Sequence, residues 1–181
     1  MNIERIWAMP NSKTFRIKPI KELIQNELVE GIVIDPFAND FSIKSVMGEK
    51  QKFITNDLDI SYETDYHMDA LKFFNEFESN SIDMILYDPP YSPRQVSECY
   101  KSLGETVNMK TTQSSYWGNQ KKEIARILKV GGKVITFGWN SGGIGKTNGF
   151  EINKILLVPH GGWHNDTICT VETKLKDADK K

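Results

Sequence analysis

The sequence predicts an α/β fold: a mostly parallel sheet with helices on both faces and a C-terminal antiparallel strand pair. Three observations predict it. Strand-like and helix-like segments alternate through the first two-thirds of the chain. Two strand-like segments joined by a compact loop close it. The polar clusters that carry chemistry fall at the carboxyl ends of predicted strands, where open α/β sheets gather ligands.

Ile20, Leu23, Ile24 and Leu28 share one helical face, and Pro19 sits where a first turn tolerates it. Gly31-Ile-Val-Ile-Asp35 reads as a buried strand ending in an acid, and Lys52–Asp57 as a second strand. Ala70, Phe73, Phe74 and Phe77 return to helical spacing. Ile82–Tyr87 is the candidate central strand, with Val96, Cys99, Tyr100 and Leu103 lining a helix after it. A polar loop is expected over Gly104–Gly118, then a helix through Lys121–Leu128 stopped at Gly131-Gly132. Lys133–Trp139, Glu151–Val158 and Thr167–Thr173 predict three more strands, and Lys174–Lys181 a charged, frayed tail.

The 181 residues suit a single domain, 1–181, with an ordinary share of apolar (39%) and charged (26%) side chains. No apolar run approaches a membrane span, and Met1–Pro10 lacks the pattern of a secretory signal. Cys99 and Cys169 stand in unrelated contexts and read as reduced thiols of a cytoplasmic protein. His160 and His164 offer only two ligands, so no metal site is predicted. A net charge of −1 gives no overall attraction to a polyanion; contact with nucleic acid would come from local basic clusters.

Asp88-Pro89-Pro90-Tyr91 follows the central strand directly. Its prolines fix φ and remove two N–H donors, leaving a rigid backbone with outward carbonyls. A carboxylate (Asp88) and a peptide carbonyl (Pro89) beside each other can accept both hydrogens of an aromatic amino group. They would aim its delocalised lone pair at an electrophile, which is catalysis by positioning and electrostatics. Tyr91 would offer a face to an unstacked base.

This motif resembles that of the class I, Rossmann-like S-adenosylmethionine-dependent methyltransferases, in particular the short N6-adenine DNA methyltransferases of phages and prophages. The resemblance covers most of residues 12–173. It implies that Asp88, Pro89, Pro90 and Tyr91 are catalytic and that the substrate is adenine in DNA, flipped or unpaired. Ser-Pro-Pro-Tyr would point to cytosine N4, and Asn-Pro-Pro-Tyr is shared with protein glutamine methyltransferases. RNA, cytosine N4 or a protein amide is the alternative substrate, and a catalytically weak binding subunit the alternative role.

The resemblance extends to the cofactor. Asp35-Pro36-Phe37-Ala38-Asn39-Asp40 is similar to the Asp-Pro-Phe-x-Gly-x-Gly loop that wraps the methionine part of S-adenosylmethionine. Asp35 would meet the ammonium group and Phe37 the sulfonium region. Asn39 replaces the first glycine and no second one follows, although Asn tolerates positive φ better than most residues. Asp57 would accept from the ribose hydroxyls, with Asp59 as a competitor. Asp69 matches the acid that recognises the adenine of the cofactor, and is equally a helix N-cap. Phe15 either closes over the methionine moiety or simply packs. Asp88 borders the cofactor as well.

On the substrate side the candidates are Tyr91, Arg94, Asn140 in the Gly138–Gly143 loop, and His160 and Trp163 in the loop joining the last two strands. Family members read sequence with a separate recognition domain, and the motifs here leave no room for one. Recognition by short loops, a homodimer or a partner subunit is therefore expected.

Overall fold

The computed structural model describes residues 1–40, 42–92, 94 and 114–178. Seven strands form one sheet: β1 (Asn2–Arg5), β2 (Gly31–Asp35), β3 (Gln51–Thr55), β4 (Ile82–Tyr87), β5 (Leu128–Gly138), β6 (Phe150–Val158) and β7 (Thr167–Lys174). Their order is β1-β6-β7-β5-β4-β2-β3. β3, β2, β4 and β5 run parallel, whereas β7 is antiparallel to both β5 and β6. The predicted mixed sheet is the observed one.

Alternation along β4 builds a core on each face. Met84 and Leu86 pack with Val33, Ile135, Val171 and the buried side of α1 (Lys18–Glu27). Ile85 and Tyr87 pack with Ile34, Val134 and the helices α2 (Ala70–Asn75) and α3 (Ser114–Ile127). α1 starts with Pro19 in its first turn and buries Ile20, Leu23 and Ile24. Each such side chain contributes roughly 1.5–3 kcal/mol by leaving water. α2 is capped by Asp69, whose carboxylate accepts from the Leu71 N–H at 2.9 Å.

β3 and β4 lie on opposite sides of β2. The winding reverses there, which opens a crevice at the carboxyl ends of β2 and β4. Asp35 closes one of those strands and Asp88 follows the other.

Several boundaries differ from expectation. α3 begins at Ser114, so Tyr116, Trp117 and Gly118 are helical rather than part of a loop. Tyr116, Gln120, Ile124 and Ile127 form its buried stripe, which outweighs the ~1 kcal/mol cost of a helical glycine. α3 ends at Ile127, and β5 starts at Leu128 without a glycine stop. Ile82 pairs with Leu128 but Met84 with Lys133, so the extra residues bulge out where Gly131 adopts φ 85. β3 ends at Thr55, two residues early.

Lys174 is no part of a frayed tail: it ends β7 fully buried. Its ammonium donates to Leu128 O at 2.7 Å and Asn80 Oδ1 at 2.9 Å, and pairs with Asp177 at 2.8 Å. β1, four residues at the sheet edge and mostly exposed, has too little apolar pattern to be read in sequence. The helix expected through Val96–Leu103 lies outside the described residues, as do Cys99 and most of the expected 104–118 loop. No described helix is long and apolar enough to cross a membrane.

Candidate active site

Two cavities open at the carboxyl end of the sheet. The larger, about 340 Å³, is bordered by Phe37 and Asn39 after β2, Asp57 after β3, Asp69 at the head of α2, and Asp88 after β4. Thr14 and Tyr116 complete its polar rim. The second, about 230 Å³, is bordered by Trp117 and Lys121 of α3 and by Gly138, Trp139 and Asn140 after β5. Pro89, Pro90 and Tyr91 line both. The Pro-Pro-Tyr turn is therefore the wall between them.

That wall is braced from each side. The Tyr91 hydroxyl donates to the Asp88 carboxylate. The Trp117 indole N–H donates to Pro90 O at 3.2 Å, and the Tyr91 ring meets Trp139 edge-on with centroids 5.6 Å apart. Burial pushes the Asp88 carboxyl up, opposed by hydrogen bonds from Tyr91 and Thr14. Burial and the adjoining Asp88 carboxylate hold the Tyr91 phenol protonated.

The loop after β2 turns on Asn39, at φ 53. Its backbone N–H donates to Asp57 Oδ2 at 2.8 Å, and Lys13 Nζ donates to its side-chain oxygen. Asp57 Oδ1 accepts from the Asp59 N–H at 2.9 Å. Burial still raises the Asp57 carboxyl. Asn56 is buried between the loops, donating to Pro36 O at 3.1 Å and Met68 O at 2.9 Å. Asp69 caps α2 with one oxygen and accepts from the Tyr116 hydroxyl at 3.1 Å with the other.

No family model matches the chain, and no curated protein matches it by sequence. Solved structures do. TrmN from Thermus thermophilus is similar with a TM-score of 0.57 and 17% identity, over 88% of this chain and 49% of its own. The chain spans about half the length of that protein. The 1,6-didemethyltoxoflavin-N1-methyltransferase of Burkholderia thailandensis, with 1,6-didemethyltoxoflavin and S-adenosylhomocysteine bound, gives 0.59 at 9% identity, over 88% of this chain and 78% of that one. An rRNA methylase from Streptococcus thermophilus gives 0.57 at 13% identity, over 93% of this chain and 100% of that one. The fold is that of the Rossmann-like methyltransferases.

Within this methyltransferase fold the larger cavity gathers Pro36, Phe37, Asn39, Asp57, Asp69 and Asp88, six of the predicted cofactor contacts. Asp59 does not border it and accepts instead from the Ser61 N–H. Ala38 borders a small side recess with Phe15. Phe15 is chiefly a core residue, 4.9 Å from the Phe137 ring, so its alternative as a packing side chain describes its position better.

Asp35 departs from its expected role. It is fully buried and does not line the large cavity, so it is not placed for direct contact with an ammonium group. One oxygen accepts from the Phe37 N–H at 3.1 Å, and the other has no hydrogen-bond partner among the described residues. Burial, with the Asp88 and Asp57 carboxylates nearby, raises it well above the usual carboxylate range.

On the substrate side Tyr91 and Asn140 border the second cavity; Arg94, His160 and Trp163 border neither. His160 is buried with both ring nitrogens engaged, at 3.0 Å from Ala8 O and 2.9 Å from Thr167 Oγ1. It joins the end of β6 to the N-terminal segment. Trp163 is wholly exposed on the turn between β6 and β7. Trp117, Lys121 and Trp139 are not among the residues expected at the site: packing of α3 against the sheet brings Trp117 and Lys121 to the turn, and Trp139 reaches it from the end of β5, within the expected Gly138–Gly143 loop.

Proposed function

We propose that this chain transfers the methyl group of S-adenosylmethionine to the N6 amino group of adenine in DNA, with the base flipped or unpaired. The carrying observation is the position of Asp88-Pro89-Pro90-Tyr91 as the partition between an acid-rimmed cavity and an aromatic one. About 340 Å³ falls in the range of small-molecule and cofactor sites. Its donor set fits the methyl donor: Asp57 for a ribose diol, Asp69 with Tyr116 for a purine edge, Phe37 for the sulfur region. When bound, the sulfonium supplies an electrophilic methyl carbon.

The chain's own residues do the rest. Tyr91 and Trp139 offer ring surface on which the target base rests, which offsets part of the few kcal/mol that unstacking costs. Asp88 and the Pro89 carbonyl accept the two amino hydrogens and turn the nitrogen lone pair toward the methyl carbon. With the methyl donor bound, its C–S bond would give way to the new N–C bond, and the Asp88 carboxylate would take the proton that the nitrogen sheds. A homodimer or a separate specificity subunit would supply sequence recognition.

Radiolabelled methyl transfer to unmethylated DNA, followed by nucleoside analysis, tests this reading. N6-methyladenine is expected from the wild type, with loss of label on Asp88→Ala. No transfer to any DNA or RNA sinks it. Similarity to an rRNA methylase favours RNA as the second reading, and the same analysis on RNA separates the two.

A further inference from the structure

We infer that Lys121 reads a ring nitrogen of the target base, donating a hydrogen bond to the acceptor that flanks the reacting amino group. The inference rests on the adenine reading above.

Among the described residues, Lys121 is the sole charged side chain bordering the second cavity. It is half-buried on α3, and its place is fixed by its neighbour: Gln120 is fully buried and accepts from the Tyr87 hydroxyl at 2.7 Å. Behind the cavity stands Glu172 of β7, also fully buried, whose carboxylate feels the Lys121 charge. Its oxygens accept from the backbone N–H groups of Ile144 at 2.6 Å and Gly145 at 3.0 Å. Gly143, part of the cavity wall, lies so close that a Cβ there would sit 2.3 Å from Glu172 Oε2. Glu172 therefore holds that wall in place; burial raises its carboxyl, and the Lys121 charge opposes that rise.

An ammonium group only donates. An adenine presenting its amino hydrogens to Asp88 and Pro89 has acceptors on either side of them, N1 and N7. Tyr91, Trp117 and Trp139 contribute rings to the same cavity, which grip any base alike. Lys121 is the charged donor there, beside the neutral Asn140 amide, and it distinguishes a nitrogen acceptor from a C–H at that edge.

The test is a cycle of methyl-transfer rates at a single target position carrying adenine, 1-deazaadenine or 7-deazaadenine. Wild type, Lys121→Met and Lys121→Arg are compared. The wild type is expected to lose about tenfold or more on one of the two analogues. Lys121→Met is slower on adenine and loses that discrimination, and Lys121→Arg retains most of it. Each discrimination is a ratio within one variant, so a partly unfolded preparation does not distort it. An undiminished analogue penalty in Lys121→Met, or equal slowing on all three bases, overturns the inference and assigns Lys121 to phosphate or to packing. Failure of the wild type on every adenine substrate ends the adenine reading itself, and this inference with it.

Discussion

The backbone N–H of Asn39 donates to the Asp57 carboxylate across 2.8 Å, and Asn39 adopts φ 53 to make that bond. One contact ties the loop after β2 to the loop after β3, the two that rim the larger cavity. A glycine at this position would reach the same conformation, and Asn reaches it through its tolerance of positive φ.

Asn39→Gly is accordingly expected to leave thermal stability nearly unchanged. Asn39→Val forces a β-branched residue into a left-handed conformation and should cost on the order of 1–2 kcal/mol. Calorimetric titration should show weaker S-adenosylmethionine binding for Asn39→Val than for Asn39→Gly. Equal affinities would separate the turn from cofactor binding.

Asp35 makes a prediction of opposite sign, because its buried carboxylate has one oxygen without a hydrogen-bond partner among the described residues. Burial raises it well above the ordinary aspartate value, so the folded state binds a proton more tightly than the unfolded chain. Its contribution is most favourable below the unfolded value and is lost as pH rises through the folded one. Asp35→Asn should then stabilise the protein by on the order of 1 kcal/mol at pH 8, with a smaller gain at pH 5. Urea unfolding at the two pH values measures this. A loss of stability at pH 8 would mean that the charge is needed.

Much of this architecture was legible because apolar spacing reports which faces are buried. β2, β4, β6 and β7 are legible nearly at their limits, and Asp88 is placed by following such a strand, whereas the strand expected to end at Asp57 stops at Thr55. What escaped depends on contacts distant in sequence. Lys174 reads as a solvated tail residue until Leu128 O and Asn80 are brought to it. His160 reads as a loop ligand until Ala8 and Thr167 occupy its ring. Glu172, one acid in a strand, becomes informative only when the backbone of Ile144 and Gly145 folds onto it. β1 has no pattern to read, because an edge strand of four residues has little to bury.

Asp88 sets the acid limb of the reaction. It must be ionised to accept both an amino hydrogen and the departing proton, and burial lifts it above 3.8. The methylation rate should rise with pH through an inflection above the ordinary aspartate value, then level off. Tyr91→Phe removes a hydrogen bond that favours the charged form, so the inflection should move to higher pH. Asp88→Ala should lose on the order of 10²–10³ in rate, the loss typical of a deleted electrostatic contact to the reacting group. An unmoved inflection in Tyr91→Phe would place the titrating group elsewhere.

Trp117 and Trp139 touch the same turn but should fail differently. Trp117 donates to Pro90 O, so Trp117→Phe keeps a ring in the cavity and removes the brace on the wall. A fall in kcat with little change in the KM for DNA is expected, together with about 0.5–1.5 kcal/mol of lost stability. Trp139 is 42% exposed and makes its ring contact with Tyr91, so Trp139→Ala should leave folding almost unaffected. It removes a stacking partner worth about 1–3 kcal/mol per base, and KM for DNA should rise roughly five- to a hundredfold. Steady-state kinetics on one oligonucleotide separates the two patterns. Identical kcat and KM changes in both variants would show that the rings act only as a joint packing unit, and the division between brace and stacking face would be lost.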